Sequence, residues 1–223
     1  MISRTRIKIC GLTRVEDVHA AVASGADAIG FVFYDASPRH VSAEQAARLL
    51  QEVPPFVSSV GLFVNADEGQ VEQVLRTAPV SLLQFHGDET PQQAAAIARR
   101  VGRPFLRALR MKPDMRGIDL LEYEKNYRAV SPYFSGLLLD AYVEGYGGGG
   151  KVFDWSLIPK ELAPRVVLSG GLSAQNATDA VLGVRPHAVD VSSGVESAKG
   201  IKDAVRIRAF IDAIRRADAL QSE

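Results

Sequence analysis

Short apolar, β-branched runs recur along the chain: RIKICG (6–11), AIGFVF (28–33), SSVGLFV (58–64), SLLQFHG (81–87), PFLRALRM (104–111), GLLLDA (136–141), RVVLSGG (165–171) and AVDVSSG (188–194). Each reads as a strand, and the stretches between them mostly carry helical period. In the last stretch, Ala204, Ile207, Ile211 and Ile214 fall on one helix face. Helix starts are marked by capping boxes, in which a side-chain oxygen takes one free N–H and a Glu or Gln three residues on takes another. The pairs are Thr13 with Glu16, Ser42 with Gln45, Asn65 with Glu68, and Thr90 with Gln93. Pro91 suits a first helical position, and Gly25 and Gly102 suit left-handed helix ends.

Near-continuous apolar strands, each followed by a helix, require a parallel sheet with its outer face covered. Eight such units are the number that closes a ring, so the expected fold is α/β, a (β/α)8 TIM barrel formed as one domain over residues 1–223. An open, doubly wound sheet is the rival. The sixth unit is the weakest, because YVEGYGGGGKVFDWSLIPKEL supplies a glycine-rich loop and only a short helix.

Composition narrows the partners. With 26 basic and 26 acidic side chains the formal net charge is zero, which leaves no electrostatic footprint for nucleic acid or an acidic membrane surface. No apolar run reaches the roughly 18 residues of a membrane span, and MISRTRIKIC lacks the apolar stretch of a signal peptide. A single cysteine, Cys10, forms no internal disulfide, so a cytoplasmic location is expected. His19, His40 and His187 show no metal-ligand spacing, and no metal site is expected. Monomer and homodimer both remain open.

In a barrel of this kind the C-terminal strand ends build the active site. Ser169, Gly170 and Gly171 end the seventh strand, and Ser192, Ser193 and Gly194 end the eighth. Small residues let backbone N–H groups approach an anion, and Ser173 opens a helix whose positive end faces it. Either motif alone is equally a tight turn; together they match the usual phosphate position. Asp140, after Leu137, Leu138 and Leu139, is costly to bury unless it has partners or is held protonated. It is therefore a candidate acid, or else a cap or a structural ion pair. Alternation in RIKIC turns Lys8 and Cys10 inward; Cys10 is then a reactive group at the barrel mouth or a small buried hydrophobe. The same alternation turns Asp190 inward on the neighbouring strand, where it should pair with Lys8. Arg39 is a carboxylate-binding guanidinium or a solvated surface group, and His86 is substrate-proximal or structural. The run GYGGGGK (145–151) lacks the ending of a phosphate loop and reads as a lid.

The combination KICGLT (8–13), GFVF with SPRHV (30–41), FVN (63–65), LQFHGDE (83–89), LLLDA (137–141), GGGGKVFDW (147–155), LSGGL (168–172) and VDVSSGVE (189–196) resembles the phosphoribosylanthranilate isomerase family over the whole chain. Phe85, Gly149 and Val152 depart from its usual pattern. The resemblance implies an Amadori rearrangement of a phosphoribosyl substrate in tryptophan biosynthesis, without a cofactor. It implies Asp140 as the general acid that opens the ribose ring and Cys10 as the general base at C2. Barrel order then sets these two on opposite sides of the phosphate turns, with Arg39 beyond Cys10, suited to the anthranilate carboxylate. The sibling isomerase of histidine biosynthesis typically has aspartate where Cys10 stands. A catalytically silent sugar-phosphate barrel would not need Cys10 and Asp140.

Overall fold

The computed structural model describes residues 4–112, 114–142 and 152–221. The eight core strands are β1 (Arg6–Cys10), β2 (Ala28–Val32), β3 (Ser58–Phe63), β4 (Leu82–Phe85), β5 (Phe105–Met111), β6 (Phe134–Ala141), β7 (Val167–Leu168) and β8 (Ala188–Val191). They pair in parallel in chain order and close into a barrel by β1 on β8, with Ile7 opposite Val189 and Lys8 opposite Asp190. Outside lie α1 (Val15–Ser24), α2 (Ala43–Leu50), α3 (Glu68–Thr77), α4 (Pro91–Val101), α5 (Gly117–Val130), α6 (Ala177–Val184) and α7 (Ala204–Leu220). None of the described helices is long and apolar enough to cross a membrane.

Strand alternation divides the apolar side chains into two populations. Ile9, Phe31, Phe85, Leu139 and Val189 face the helices and share one buried cluster with Val18, Ile97, Leu120, Ile207 and Ile214. Leu106, Ala108, Leu138, Val167 and Ala188 form a second, smaller cluster that plugs the barrel interior. Above this plug the inward positions turn polar, with Lys8, Gln84 and Asp190 all buried. The floor of the site is thus set by where the interior stops being apolar.

Several local expectations give way to longer-range contacts. α1 starts at Val15 without a side-chain cap, because the Thr13 hydroxyl donates instead to the Gly200 carbonyl at 2.8 Å. α3 is capped by Asp67 and Gln70, not by Asn65 and Glu68; Asn65 takes a left-handed backbone, φ +53°, and its N–H donates to Glu89 at 2.7 Å. Ser42 does cap α2, although Gln45 turns its amide to the Thr13 carbonyl, and Thr90 and Gln93 form the full box on α4. Gly25 and Gly102 end α1 and α4 in left-handed conformation. After β6 the described residues form 3₁₀ turns at Trp155–Leu157 and Ala163–Arg165 where a short helix was expected, since Pro159 and Pro164 interrupt the segment. Ala204 is exposed, and Phe210 joins the buried face of α7 in its place. A small antiparallel pair, β9 (Glu196–Ala198) with β10 (Ile201–Lys202), sits between β8 and α7 and has no counterpart among the expected strands.

Candidate active site

One pocket at the C-terminal mouth brings together Cys10, Arg39, His86, Asp140, the Gly170–Gly171 turn and the Ser192–Ser193 turn. About 700 Å³ of atom-free space lies among these residues, counted out to the open mouth. Gly194 stands behind the lining: a Cβ there would overlap the Leu172 carbonyl, so glycine lets the turns after β7 and β8 approach each other. The run 145–151, read as a lid, lies outside the described residues.

β7 is only two residues long because the chain leaves the sheet at Gly170 and Gly171, whose φ values are +83° and +65°. Only glycine adopts consecutive left-handed positions without strain. Gly170 also packs against the end of β6, where a Cβ would overlap the Ala141 amide and lie 3.0 Å from Asp140 Oδ1. Beyond the turn, Asn176 holds the loop by accepting from the Ser173 N–H at 2.8 Å and donating to the Gly171 carbonyl at 3.0 Å. α6 is regular from Ala177, and its first bond, Ala177 N–H to Ser173 O at 3.0 Å, closes on Ser173. The positive end of α6 therefore lies beside the two small-residue turns, the arrangement that suits a phosphate.

Cys10 is buried next to the Lys8–Asp190 ion pair, whose Nζ–Oδ1 distance is 2.7 Å. The expected pairing is present, with Ser169 Oγ donating to the other Asp190 oxygen at 3.2 Å. Gly30 makes room for the group: a Cβ there would lie 2.8 Å from Cys10 Sγ and 3.2 Å from Lys8 Nζ. Burial pushes the Cys10 thiol up, the Lys8 charge and hydrogen bond pull it down, and Asp190 adds to the upward push; the net direction is up. Burial lowers Lys8, yet Asp190 and Cys10 outweigh it and hold the ammonium charged. Cys10 is therefore a thiol at rest, with a fixed cation ready to favour its thiolate.

Arg39 is not a solvated surface group. Its Nε and Nη2 donate to the two oxygens of Glu196 at 2.7 and 2.8 Å, a bidentate pair that fixes the plane of the guanidinium. Gly11, at φ +75°, leaves space for the arginine stem, since a Cβ would come 2.5 Å from Arg39 Cδ. Lys202 Nζ donates to Glu196 at 2.8 Å and to Ser192 O at 3.1 Å, and Ser192 Oγ donates to the Cys10 carbonyl at 3.0 Å. The Ser192 hydroxyl thus ties β8 to β1, and Ser192 also lines the pocket. Burial raises the Glu196 carboxyl, but the bonds from Arg39 and Lys202 win and hold it below the usual range; burial lowers Lys202 despite Glu196. Arg39, Lys202 and Glu196 together carry one surplus positive charge, complementary to a carboxylate.

His86 and Asp140 meet from β4 and β6 across β5, with Nε2 3.1 Å from Asp140 Oδ2. The other Asp140 oxygen accepts the Ala141 N–H at 2.9 Å. The strand end that presents His86 is clamped from outside by Arg107, which donates to the Phe85 and Gly87 carbonyls at 3.1 and 2.9 Å and to Glu89 at 2.7 Å. Glu196, Lys202, Arg107 and Gln84 were not among the residues singled out in sequence. Glu196 stands inside VDVSSGVE, and its buried carboxylate signal was visible only as a charge next to Val195.

A closed eight-stranded parallel barrel, with two small-residue turns at the phosphate position and a thiol and a carboxylate in one pocket, defines a barrel enzyme acting on a phosphorylated small molecule by proton transfer. The sequence model described as N-(5'-phosphoribosyl)anthranilate (PRA) isomerase matches residues 7–213, and the chain belongs to that family. An N-(5'-phosphoribosyl)anthranilate isomerase from Herminiimonas arsenicoxydans is 66% identical over 100% of this chain and 99% of its own. A crystal structure of phosphoribosyl anthranilate isomerase in complex with reduced 1-(o-carboxyphenylamino)-1-deoxyribulose 5-phosphate aligns at a TM-score of 0.80 and 39% identity, covering 95% of this chain and 99% of that one. Monomers generated from the dimeric enzyme of Thermotoga maritima align at 0.79 and 38%, covering 95% and 98%.

Proposed function

We propose that the pocket isomerises N-(5-phospho-β-D-ribosyl)anthranilate to 1-(2-carboxyphenylamino)-1-deoxy-D-ribulose 5-phosphate, a step of tryptophan biosynthesis, with Asp140 as general acid and Cys10 as general base. Asp140 protonates the ribose ring oxygen; the C1–O bond breaks as the nitrogen lone pair forms an iminium. The iminium is an electron sink, so the C2 proton becomes acidic enough for the Cys10 thiolate to remove. The electrons move to nitrogen, and the enolamine tautomerises to the ketone as C1 gains a proton and the C2 hydroxyl loses one. The phosphate occupies the turns at Gly170, Gly171, Ser192 and Ser193 beside the start of α6, with Gly194 supporting them. Arg39, held in plane by Glu196, takes the anthranilate carboxylate. His86 contacts the acid.

The observation that carries this reading is the meeting of Cys10 and Asp140 in one pocket with the two phosphate-type turns. The reduced product analogue bound by the relative has the three parts these groups would hold: a phosphate, a reduced deoxyribulose chain and a carboxyphenyl ring. The test follows loss of fluorescence of freshly made phosphoribosylanthranilate, with the histidine-pathway aminoaldose as control. Turnover of the first and not the second supports the assignment; turnover of neither, by folded protein, overturns it. The cytoplasm and a monomer or homodimer complete the reading, the latter supported by the dimeric Thermotoga maritima relative and tested by sedimentation.

A further inference from the structure

The β9–β10 hairpin carries a lysine that does not line the pocket yet is joined to two separate parts of its wall. In the antiparallel pair Lys202 stands opposite Glu196, and its side chain is fully buried. An ammonium group has three hydrogens to donate. Three acceptors surround this one: Glu196 Oε1 at 2.8 Å, the Ser192 carbonyl at 3.1 Å and Ser192 Oγ at 3.2 Å. Every donor is used, which fixes the nitrogen between its partners.

Those partners lead in different directions. Ser192 opens the turn after β8 that the isomerase reading gives to the phosphate, and its hydroxyl, while accepting from Lys202, gives its own hydrogen to the Cys10 carbonyl at 3.0 Å. Glu196 leads to Arg39, whose guanidinium it holds with both oxygens. The hairpin is itself anchored. The Lys202 N–H donates to Asp17 Oδ2 at 3.3 Å, the Lys202 carbonyl accepts from Arg14 at 3.4 Å, and the Gly200 carbonyl accepts from Thr13 at 2.8 Å. Gly200, at φ +79°, closes the hairpin against the loop that carries Arg39, where a Cβ would come 2.7 Å from the Pro38 carbonyl oxygen. Lys202 is thus held by the start of α1 and can follow neither partner if that partner moves.

We propose that Lys202 is a positioning residue that sets the spacing between the phosphate-holding turn and the carboxylate-holding arginine, so that a substrate carrying both anions is gripped at both ends together. The proposal rests on the isomerase reading, which supplies a substrate with a phosphate at one end and a carboxylate at the other. Lys202 acts on the first through Ser192 and on the second through Glu196 and Arg39. Arg39 and Glu196 alone cancel in charge, so the surplus that favours the carboxylate comes from the lysine. The other buried lysine, Lys8, is matched by Asp190 and leaves no such surplus.

The test uses the whole chain and two fragments that undergo no chemistry, inorganic phosphate and anthranilate, with affinities read by calorimetry and KM for phosphoribosylanthranilate read in parallel. Lys202→Met keeps the length and removes the charge and the donors. It should weaken each fragment at least about threefold and raise KM by about the product, at least about tenfold, with kcat changed less. Glu196→Gln should weaken anthranilate and leave phosphate within about twofold of wild type. In the double variant the loss of anthranilate affinity should fall short of the product of the single losses, because both substitutions act on Arg39 through one line of contacts. A general loosening of the barrel would not sort the fragments in this way. In the wild type, the side-chain NMR signals of Lys202, assigned by through-bond correlation, should shift with phosphate alone and with anthranilate alone, a reading that depends on no variant. Signals that move with one fragment only, or with neither, overturn the proposal. So does a folded Lys202→Met that loses affinity for one fragment only, or losses that multiply in full in the double variant. A wild type that binds both fragments and isomerises nothing would overturn the isomerase reading instead, and the same affinities would still decide the role of Lys202.

Discussion

Replacing Lys8 by methionine should damage stability and chemistry by separate routes. The Lys8 and Asp190 side chains are 5% and 6% exposed and 2.7 Å apart, so removing the ammonium leaves a buried carboxylate whose remaining side-chain partner among the described residues is the Ser169 hydroxyl, at 3.2 Å. Breaking one half of such a pair costs about 3–5 kcal/mol. With an unfolding entropy of about 2.1 cal/mol/K per residue, a chain of 223 residues has about 0.47 kcal/mol/K, so Tm should fall by about 6–11 °C. Scanning calorimetry reads this directly. The chemical effect follows from Cys10: burial already raises its thiol, and Lys8 is the largest influence pulling it back. Without Lys8 the thiol rises further, so the limb on which kcat increases with deprotonation should move to higher pH. Replacing both partners, Lys8→Met with Asp190→Leu, removes the stranded charge and should restore most of the Tm while leaving that limb displaced. A Lys8→Met protein with wild-type Tm and a wild-type kcat profile would refute the argument.

Four further outcomes are expected. Cys10→Ala and Asp140→Asn should each lower kcat at least about 100-fold with smaller change in KM, measured by the fluorescence assay, and Cys10→Ala should also remove the limb on which kcat rises with deprotonation. Gly171→Val should raise KM strongly, because its left-handed backbone and the space above it are both lost to a side chain, with circular dichroism confirming a folded barrel. Glu196→Gln should raise KM by loosening Arg39. Because the folded Glu196 carboxyl lies below its unfolded value of about 4.3, the wild type should lose stability as pH falls through the folded value, and Tm followed from pH 6 to 3 should show that loss reduced in the variant. Arg107→Met should strand Glu89 and cost about 3–5 kcal/mol by denaturant unfolding, with kcat falling as the His86 strand end loosens.

The barrel was legible because its information is periodic: inward and outward positions alternate along each strand, and eight repeats close. The Lys8–Asp190 pair was readable for the same reason, since closure sets β1 beside β8 and parity turns both side chains inward. Pairings that break the period were not readable. Thr13 and Asn65 look like local caps, but their partners are Gly200 and Glu89, 187 and 24 positions away. Arg39 finds its partner at Glu196 on β9, and β9 and β10, three and two residues long, carry no alternation to read. His86 and Asp140 are separated by a whole strand, so their contact depends on barrel curvature, which no linear pattern records.

The seam between β1 and β8 also governs when the surroundings of Cys10, the proposed base, come into being. During synthesis Asp190 follows Lys8 by 182 positions, and Lys202 comes later still. At about 5–20 residues per second, roughly 10–40 s pass before those partners exist. Throughout that interval Cys10 belongs to an open chain and behaves as an ordinary accessible thiol, open to alkylation or oxidation. A ribosome-bound chain truncated before residue 188 should therefore label readily at Cys10, while release and closure of the seam should shut the same atom away in a single late event.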